Sequence, residues 1–310
     1  MLDIWTYIGG FIKKDNAKCH LLMTSKEMGQ CKIFFYEMVK VKKIIKSQWY
    51  DYFFNVYVDS TYYPLPKYVT HITINKNRHK SKAFRIPSTV IYLNFGDQCW
   101  EPIAENTIPS SVKHLTIGTC YRTFILKYIP SSVTHLKLPS MVVNDPVPSS
   151  ITHLELFQCG NSNNIPTSIK YLKINTWFNH NNLGIIKNSV TELDLHVHFF
   201  HFYFSQIPFS VEKLTLNGTH YIKEMLPSSI TKITFDSVKK YPYKSFTNIE
   251  CAQQKSSVKH LVLRGEFPHA VEKFIPDSVT EIEHVGLYDK PMIAYLNKYF
   301  RRRNVKTSFN

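Results

Sequence analysis

The sequence predicts a repeat protein: a parallel β-solenoid with short helical segments at its two ends. Three observations predict this fold class. A motif that starts at a proline and ends in two alternating apolar residues recurs along most of the chain. Hydrophobic residues make up 44% of the 310 residues, so the chain can bury a core. Glycine is scarcer than proline, at 10 against 16, which is unusual for enzymes that cradle phosphates in glycine-rich loops.

The repeat is clearest in three similar segments: IPSSVKHLTI at 108–117, IPSSVTHLKL at 129–138 and VPSSITHLEL at 147–156. Nine prolines start a copy, and a lysine takes the place of the proline in two more. These residues are Pro66, Pro87, Pro109, Pro130, Pro148, Pro166, Lys187, Pro208, Pro227, Lys255 and Pro276. The eleven copies fill residues 65–288 at spacings of 18 to 28 residues. A period of this length indicates a solenoid.

One copy shows why the motif makes a coil. Pro109 fixes its own φ and favours an extended residue before it, so the chain turns a corner without forming a helix. Ser111 is expected to bond a backbone group in the turn. Val112, Leu115 and Ile117 then point inward, and the last two have the period of a strand. A unit of this size cannot bury its apolar face alone, so consecutive units stack and form a parallel sheet.

The L-x-x-L-x-L order of these copies resembles the strand segment of leucine-rich repeats. The I-P-S-S-V-T-H-L core resembles the FNIP repeat, a leucine-rich-repeat variant abundant in social amoebae and in giant DNA viruses that infect amoebae. The resemblance covers about 70% of the chain by the span of the copies, 65–288. The Phe-Asn pair that gives the family its name is largely missing, with a remnant at 164–166. The resemblance implies a non-catalytic scaffold for protein recognition.

Residues 1–45 carry apolar residues at helical spacing, and Asp15 and Asn16 predict a helix start. With Thr24-Ser25-Lys26 downstream, this segment resembles an F-box, although the usual Leu-Pro before the first helix is absent. The resemblance implies binding to the Skp1 adaptor of a cullin–RING ubiquitin ligase. The implied adaptor-binding residues are Leu2, Ile4, Trp5, Ile8, Phe11, Ile12, Leu21 and Leu22. The alternative is a hydrophobic cap, which solenoids need at their ends.

Other segments complete the domain organisation. Residues 46–64 form an aromatic connector that predicts a degenerate first coil. Residues 289–310 predict a C-terminal capping helix and a tail, because apolar residues at 291–300 have the spacing of an amphipathic helix. The longest insertion between copies, 237–254, predicts a loop that bulges from one coil and could carry contacts.

The residues between the inward positions of each predicted strand should face outward on the concave side, where partners bind. The first such column contains His71, Tyr92, His114, His135, His153, Tyr171, Glu192, Lys213, Lys232, His260 and Glu281. This His- and Tyr-rich platform is typical of surfaces that recognise proteins. From Glu192 onward the column is charged, which fits either a particular partner or drift in a degenerate repeat.

No metal, cofactor or catalytic site is predicted. The stacked histidines 114, 135 and 153 follow one another along the sheet and do not converge on one ion. The stretch HVHFFH at 196–201 has strand spacing, and no second ligand cluster accompanies it. The sequence contains no GxGxxG, GxxxxGK[ST], HExxH or GxSxG motif.

The formal charge of +15 comes mostly from lysine. Excess lysine with many Asn, Ile, Tyr and Phe is typical of AT-rich coding, and it also fits an acidic partner, either protein or nucleic acid. Nucleic acid is the less favoured partner, because readers of bases use arginine. The six scattered cysteines predict free thiols in an intracellular, cytoplasmic setting, which is the host cytoplasm if the chain is viral. We expect no signal peptide and no membrane-spanning segment.

Overall fold

The computed structural model divides into two compact units, Met1–Lys137 (unit 1) and Leu138–Asn310 (unit 2). The structure describes residues 12–24, 30–59, 64–75, 85–97, 103–119, 126–139, 146–157, 165–176, 186–197, 204–217, 226–236, 257–264, 276–285, 294, 297–298, 301 and 305–309. The predicted insertion 237–254 lies outside the described residues, and so do residues 1–11 of the N-terminal segment.

Unit 1 is built from short strands that pair in parallel, each with the next along the chain. Its strands are β1 (Val39–Lys40), β2 (Asn55–Val58), β3 (His71–Ile74), β4 (Tyr92–Phe95), β5 (His114–Ile117) and β6 (His135–Leu138). Among its described residues, the helical segments are α1 (Asp15–Leu22), α2 (Val41–Ile44) and the 3-10 turns Tyr50–Tyr52 and Leu126–Tyr128.

Unit 2 repeats the same parallel arrangement. Its strands are β7 (His153–Leu156), β8 (Tyr171–Thr176), β9 (Glu192–Val197), β10 (Lys213–Asn217), β11 (Lys232–Asp236), β12 (His260–Arg264), β13 (Glu281–Val285) and β14 (Lys306–Phe309), and its described residues include a 3-10 turn at Phe204–Gln206. The predicted parallel β-solenoid is confirmed. Each of the eleven copies forms a strand, β3 to β13, that begins at the residue predicted to start the outward column.

The coil around Pro109 shows how the motif folds. The carbonyl of Pro109 accepts a hydrogen bond from the N–H of Val112 at 3.1 Å, which closes the predicted turn. Val112, Leu115 and Ile117 are all at most 2% exposed. Burial of side chains of this size contributes about 1.5–3 kcal/mol each. The inward side chains of successive coils therefore build the core, and the turns leave the other strand face to solvent.

The serine of the motif bonds a different turn from the one expected. Ser111 donates its hydroxyl hydrogen to the carbonyl of Val90 at 2.7 Å, and Ser132 donates to the carbonyl of Val112 at 2.9 Å. Each acceptor lies at the end of the turn in the preceding coil. In these copies, and at Ser168 and Ser257, the serine thus links neighbouring coils, a contact that the sequence of one copy does not reveal.

The N-terminal helix contains a buried ion pair, and both of its partners also bond the chain that follows the helix. Helix α1 begins at Asp15, as predicted, and the Lys18 ammonium lies 2.9 Å from the Asp15 carboxylate. Asp15 also accepts a hydrogen bond from the N–H of Glu37 at 2.6 Å, and Lys18 donates to the carbonyl of Phe34 at 2.9 Å. These contacts fix α1 against the chain that enters β1.

The predicted adaptor-binding residues are only partly described. Leu2, Ile4, Trp5, Ile8 and Phe11 lie outside the described residues. Ile12 and Leu21 are half-buried, and Leu22 is 1% exposed, so Leu22 belongs to the core of unit 1. Their role in binding an adaptor stays a prediction.

The connector and the C-terminus each add a strand. The connector 46–64 contains β2, which pairs with β3. At the other end, residues 294, 297–298 and 301 are helical, and most of the predicted capping helix lies outside the described residues. Beyond it, β14 pairs with β13. The sequence analysis expected only a tail there.

Candidate functional site: the outward faces of the strands

The candidate site in unit 1 is a row of rings on the outward face, which we call the ladder: His71, Tyr92, His114 and His135. Strand pairing places them directly beside one another. The His71 and Tyr92 ring centroids are 4.1 Å apart with planes 8° apart, and those of Tyr92 and His114 are 4.2 Å apart with planes 12° apart. The His114 and His135 rings are 4.1 Å apart with a 35° tilt. The predicted column is therefore a continuous stack in this unit.

Threonines before the strands hold two ladder rings. The hydroxyl of Thr70 lies 2.8 Å from Nδ1 of His71, and that of Thr134 lies 2.9 Å from Nδ1 of His135. Nδ1 is on the backbone side of the ring, so these contacts leave the Cε1–Nε2 edge of each ring farthest from the sheet. Burial, followed by the nearby His114, lowers the pKa of His71, which favours its neutral form.

Five more rings form an aromatic cluster beside the ladder: Phe34, Tyr36, Tyr52, Phe54 and Tyr68. Phe34 stacks on Phe54 at 4.6 Å and meets Tyr52 and Tyr68 edge-on at 5.6 and 6.2 Å. Tyr36 meets Phe54 at 5.3 Å. Tyr36 and Tyr68 are 56% and 39% exposed. The cluster therefore presents aromatic surface to solvent.

Sequence reasoning missed this cluster, although the signal was present. In each of the triplets 34–36 and 52–54 the middle ring points inward and the outer two point outward. Phe35 and Phe53 are buried, pair as a parallel bridge and stack at 4.4 Å. The strand period applied to residues 34–36 and to the connector would have predicted that the flanking rings share the outward face.

The outward positions of β2 to β6 carry no carboxylate. They are Asn55, Tyr57, His71, Thr73, Tyr92, Asn94, His114, Thr116, His135 and Lys137. Lys113, just before β5, is exposed. Over the strands of unit 1 the outward face is therefore aromatic, and its charge is cationic.

The outward column of unit 2 begins with aromatic rings and continues with charges. His153 and Tyr171 stack at 5.7 Å. Farther along, Lys213 bonds the carboxylate of Glu192, and this hydrogen bond raises the pKa of Lys213. The predicted residue His260 lies 3.8 Å from the carboxylates of both Glu281 and Glu283. Lys232 lies between Lys213 and His260 in the same column.

A half-buried polar network crosses β8, β9 and β10, centred on Asp194. Tyr171 donates its hydroxyl hydrogen to Asp194 at 3.3 Å, and the Lys173 ammonium lies 3.3 Å from the same carboxylate. Asn217 donates its amide to Asp194 at 3.1 Å, and His196 Nε2 lies 3.4 Å away. The sequence analysis placed Tyr171 in the first outward column and noted His196 in the stretch 196–201, but it did not predict the network.

The network fixes the charge states of its two central acids. Burial favours a raised pKa for Asp194, but the hydrogen bond to His196 and the charge of Lys173 outweigh it, so the pKa of Asp194 is lowered. Burial and the Asp194 charge raise the pKa of Tyr171. Asp194 therefore stays ionised and Tyr171 stays protonated at neutral pH, which suits a structural polar network.

The described residues contain no group of three His, Cys, Asp or Glu side chains that could hold a metal ion. Of the stretch 196–201, His198 and His201 lie outside the described residues. Within the part of the chain that the structure describes, no helix is long and apolar enough to span a membrane.

Comparison with known families identifies one repeat. The FNIP Repeat family model matches residues 79–120. This match spans β4 and β5, which carry Tyr92 and His114 of the ladder. A comparison with curated proteins finds no significant match. Residues 79–120 are therefore similar to a FNIP repeat and belong to a parallel solenoid.

Proposed function

We propose that this chain is a non-catalytic scaffold that recognises a partner protein through the outward faces of its strands. The observation that carries this proposal is the ladder together with the aromatic cluster, a row of partly exposed rings held by stacking on regular strands. Aromatic rings bury a large area and dominate the binding energy of many interfaces. The FNIP Repeat match supports a repeat-type interaction scaffold.

More narrowly, we infer that the chain is the substrate receptor of a Skp1–cullin–F-box ubiquitin ligase in the cytoplasm. The N-terminal apolar face, with Ile4, Ile8 and Ile12, would bind a Skp1-like adaptor. The outward faces would present a target protein to the ligase. The resemblance of residues 1–26 to an F-box supports this function.

The alternative function of the N-terminal segment is a cap, and a specific observation favours it for α1. The buried pair Asp15–Lys18 and the buried Leu22 bind this helix to its own unit. A cap needs such contacts, because the first coil would otherwise expose its apolar side. The two roles are compatible only if the adaptor binds residues that precede α1.

Co-purification with a Skp1-like adaptor tests the receptor function. The tagged full chain should retain the adaptor, and Ile8→Asp should abolish retention because a carboxylate would be buried in an apolar interface. The matched control is Lys14→Asp, at an exposed position just before α1. If wild type retains no adaptor, or Ile8→Asp retains as much as Lys14→Asp, the receptor function is refuted and the cap remains.

A further inference from the structure

We propose that the outward face of unit 1 binds an acidic segment of a partner protein, with the ladder at the centre of the contact. This rests on the proposed function, protein recognition by the outward faces, and adds the chemistry of the partner. It depends on three features of unit 1: the orientation of the ladder rings, the distribution of charge and the adjacent aromatic surface.

The orientation of the rings gives the ladder a positive outer edge. The ring planes of His71, Tyr92 and His114 are nearly parallel, and neighbouring centroids are 4.1 and 4.2 Å apart, so the ring faces cover one another. What remains toward solvent is the ring edge, and the edge of an aromatic ring is the positive end of its quadrupole. The hydroxyl hydrogen of Tyr92 lies at the same edge, and so does the Nε2 hydrogen of a histidine in the tautomer whose Nδ1 accepts from the neighbouring threonine hydroxyl. Such a row attracts acceptor oxygens, and carboxylates most strongly.

The charges at the outward strand positions of unit 1 have the same preference. The outward positions of β2 to β6 lack a carboxylate, whereas Lys137 and the exposed Lys113 flank the histidines. The nearby Asp97 accepts hydrogen bonds from the amide and hydroxyl of Thr119, at 2.8 and 3.0 Å, at the ends of β4 and β5. An acidic segment on the ladder therefore meets no opposing carboxylate at these outward positions.

The aromatic cluster supplies apolar contact beside this positive edge. The carbonyl of Phe54 accepts hydrogen bonds from the N–H groups of Thr70 and His71, which places the cluster next to the first ladder ring. Tyr68 of this cluster is 39% exposed. A partner segment that combines carboxylates with an apolar side chain would satisfy both surfaces.

Unit 2 differs because its outward positions carry carboxylates as well as lysines, and it serves as an internal comparison. Its outward positions include the carboxylates Glu155, Glu192, Asp194, Glu281 and Glu283. Like charges that face each other across an interface oppose binding. An acidic segment should therefore distinguish the two units, whereas a binding mode driven only by the net positive charge of the chain should not.

The test is fluorescence anisotropy of a labelled peptide that alternates Glu and Ser, titrated with the full chain. Position 114 is varied to Lys, Gln and Glu, and circular dichroism verifies the fold of each variant. His114→Glu should weaken binding about fivefold, since one repulsive surface charge contributes about 1 kcal/mol. His114→Lys should bind at least as tightly as wild type. If His114→Glu does not fold, Thr116→Glu, at the next outward position of β5, replaces it.

The matched control is Lys232→Gln on the outward column of unit 2, which changes the net charge by the same amount as His114→Glu. It should leave the affinity within about twofold of wild type. Equal losses in the two variants would overturn the proposal, as would failure to bind the Glu–Ser peptide or equal binding of a Lys–Ser peptide. Tighter binding of oligothymidylate would assign the face to nucleic acid. If an adaptor co-purifies while the acidic peptide does not bind, the receptor function stands and only this inference fails.

Discussion

Replacement of His284 by leucine should reduce the loss of folding stability that acid causes. His284 occupies an inward position of β13 that most copies fill with an apolar residue, and it is 1% exposed. Its register neighbours are Leu263 and Phe309. Burial lowers the pKa of His284 from 6.5 to about 4. The unfolded chain therefore takes up the proton first as the pH falls, and stability is lost between about pH 6.5 and pH 4.

The size of this loss follows from the two pKa values. At pH 5 the unfolded chain gains about 2 kcal/mol from protonation of His284 relative to the folded chain, and the loss approaches about 3 kcal/mol below pH 4. Above pH 7 the contribution vanishes, since the side chain is neutral in both states. His284→Leu should therefore be less destabilised by acid, by about 2 kcal/mol at pH 5.

Urea unfolding, followed by circular dichroism, gives the free energy of unfolding at pH 7.5 and at pH 5. The stability lost between the two pH values is then compared between wild type and His284→Leu. Other titrating groups cancel when the pH response of the variant is subtracted from that of wild type. His20→Leu, at an exposed position of α1, is the matched control and should keep the wild-type pH response. If His284→Leu loses as much stability at pH 5 as wild type, the reasoning from burial is refuted.

Four further substitutions test the fold, each read as the change in free energy of unfolding. Gly118→Ala should cost about 1–3 kcal/mol, since a Cβ there would lie 2.5 Å from backbone atoms of the preceding coil; an unchanged stability would contradict that geometry. Ser111→Ala should cost about 1 kcal/mol, whereas Ser210→Ala should be nearly neutral, because the buried Ser210 hydroxyl has no hydrogen-bond partner in the described part of the chain. Equal costs would refute a stabilising role for the coil-to-coil bond. Asp15→Ala should cost about 3 kcal/mol, since it leaves the charge of Lys18 buried without its carboxylate, and a loss under about 1 kcal/mol would mean that α1 is only loosely attached.

The solenoid could be predicted because each copy repeats the same short sequence pattern. A turn at a residue such as Pro109 and apolar residues at fixed distances after it act over about ten residues, and stacking follows from the period. The strands β3 to β13 therefore begin where the repeat places them. By contrast, β14 follows no motif copy, and the sequence analysis expected a tail at this position.

The side-chain contacts between coils were harder to predict. Asp194 meets Tyr171, Lys173 and Asn217, which lie about one coil before or after it in the sequence. The period of the repeat implies that such residues are neighbours on adjacent strands. Whether a lysine reaches a carboxylate, however, depends on rotamers and on burial. The same limit applies to Ser111, whose acceptor lies in the preceding coil.

The two faces of each strand are under different physical constraints, and this difference is the strongest argument that function lies on the outward one. A change of volume at an inward position such as Leu115 or Leu136 costs several kcal/mol, so these positions stay apolar and alike. Outward substitutions cost little stability, so the outward face can change from the stacked rings of unit 1 to the charged pairs of unit 2 without loss of the coil. A partner can discriminate between surfaces only where they differ, and on this scaffold they differ on the outward faces.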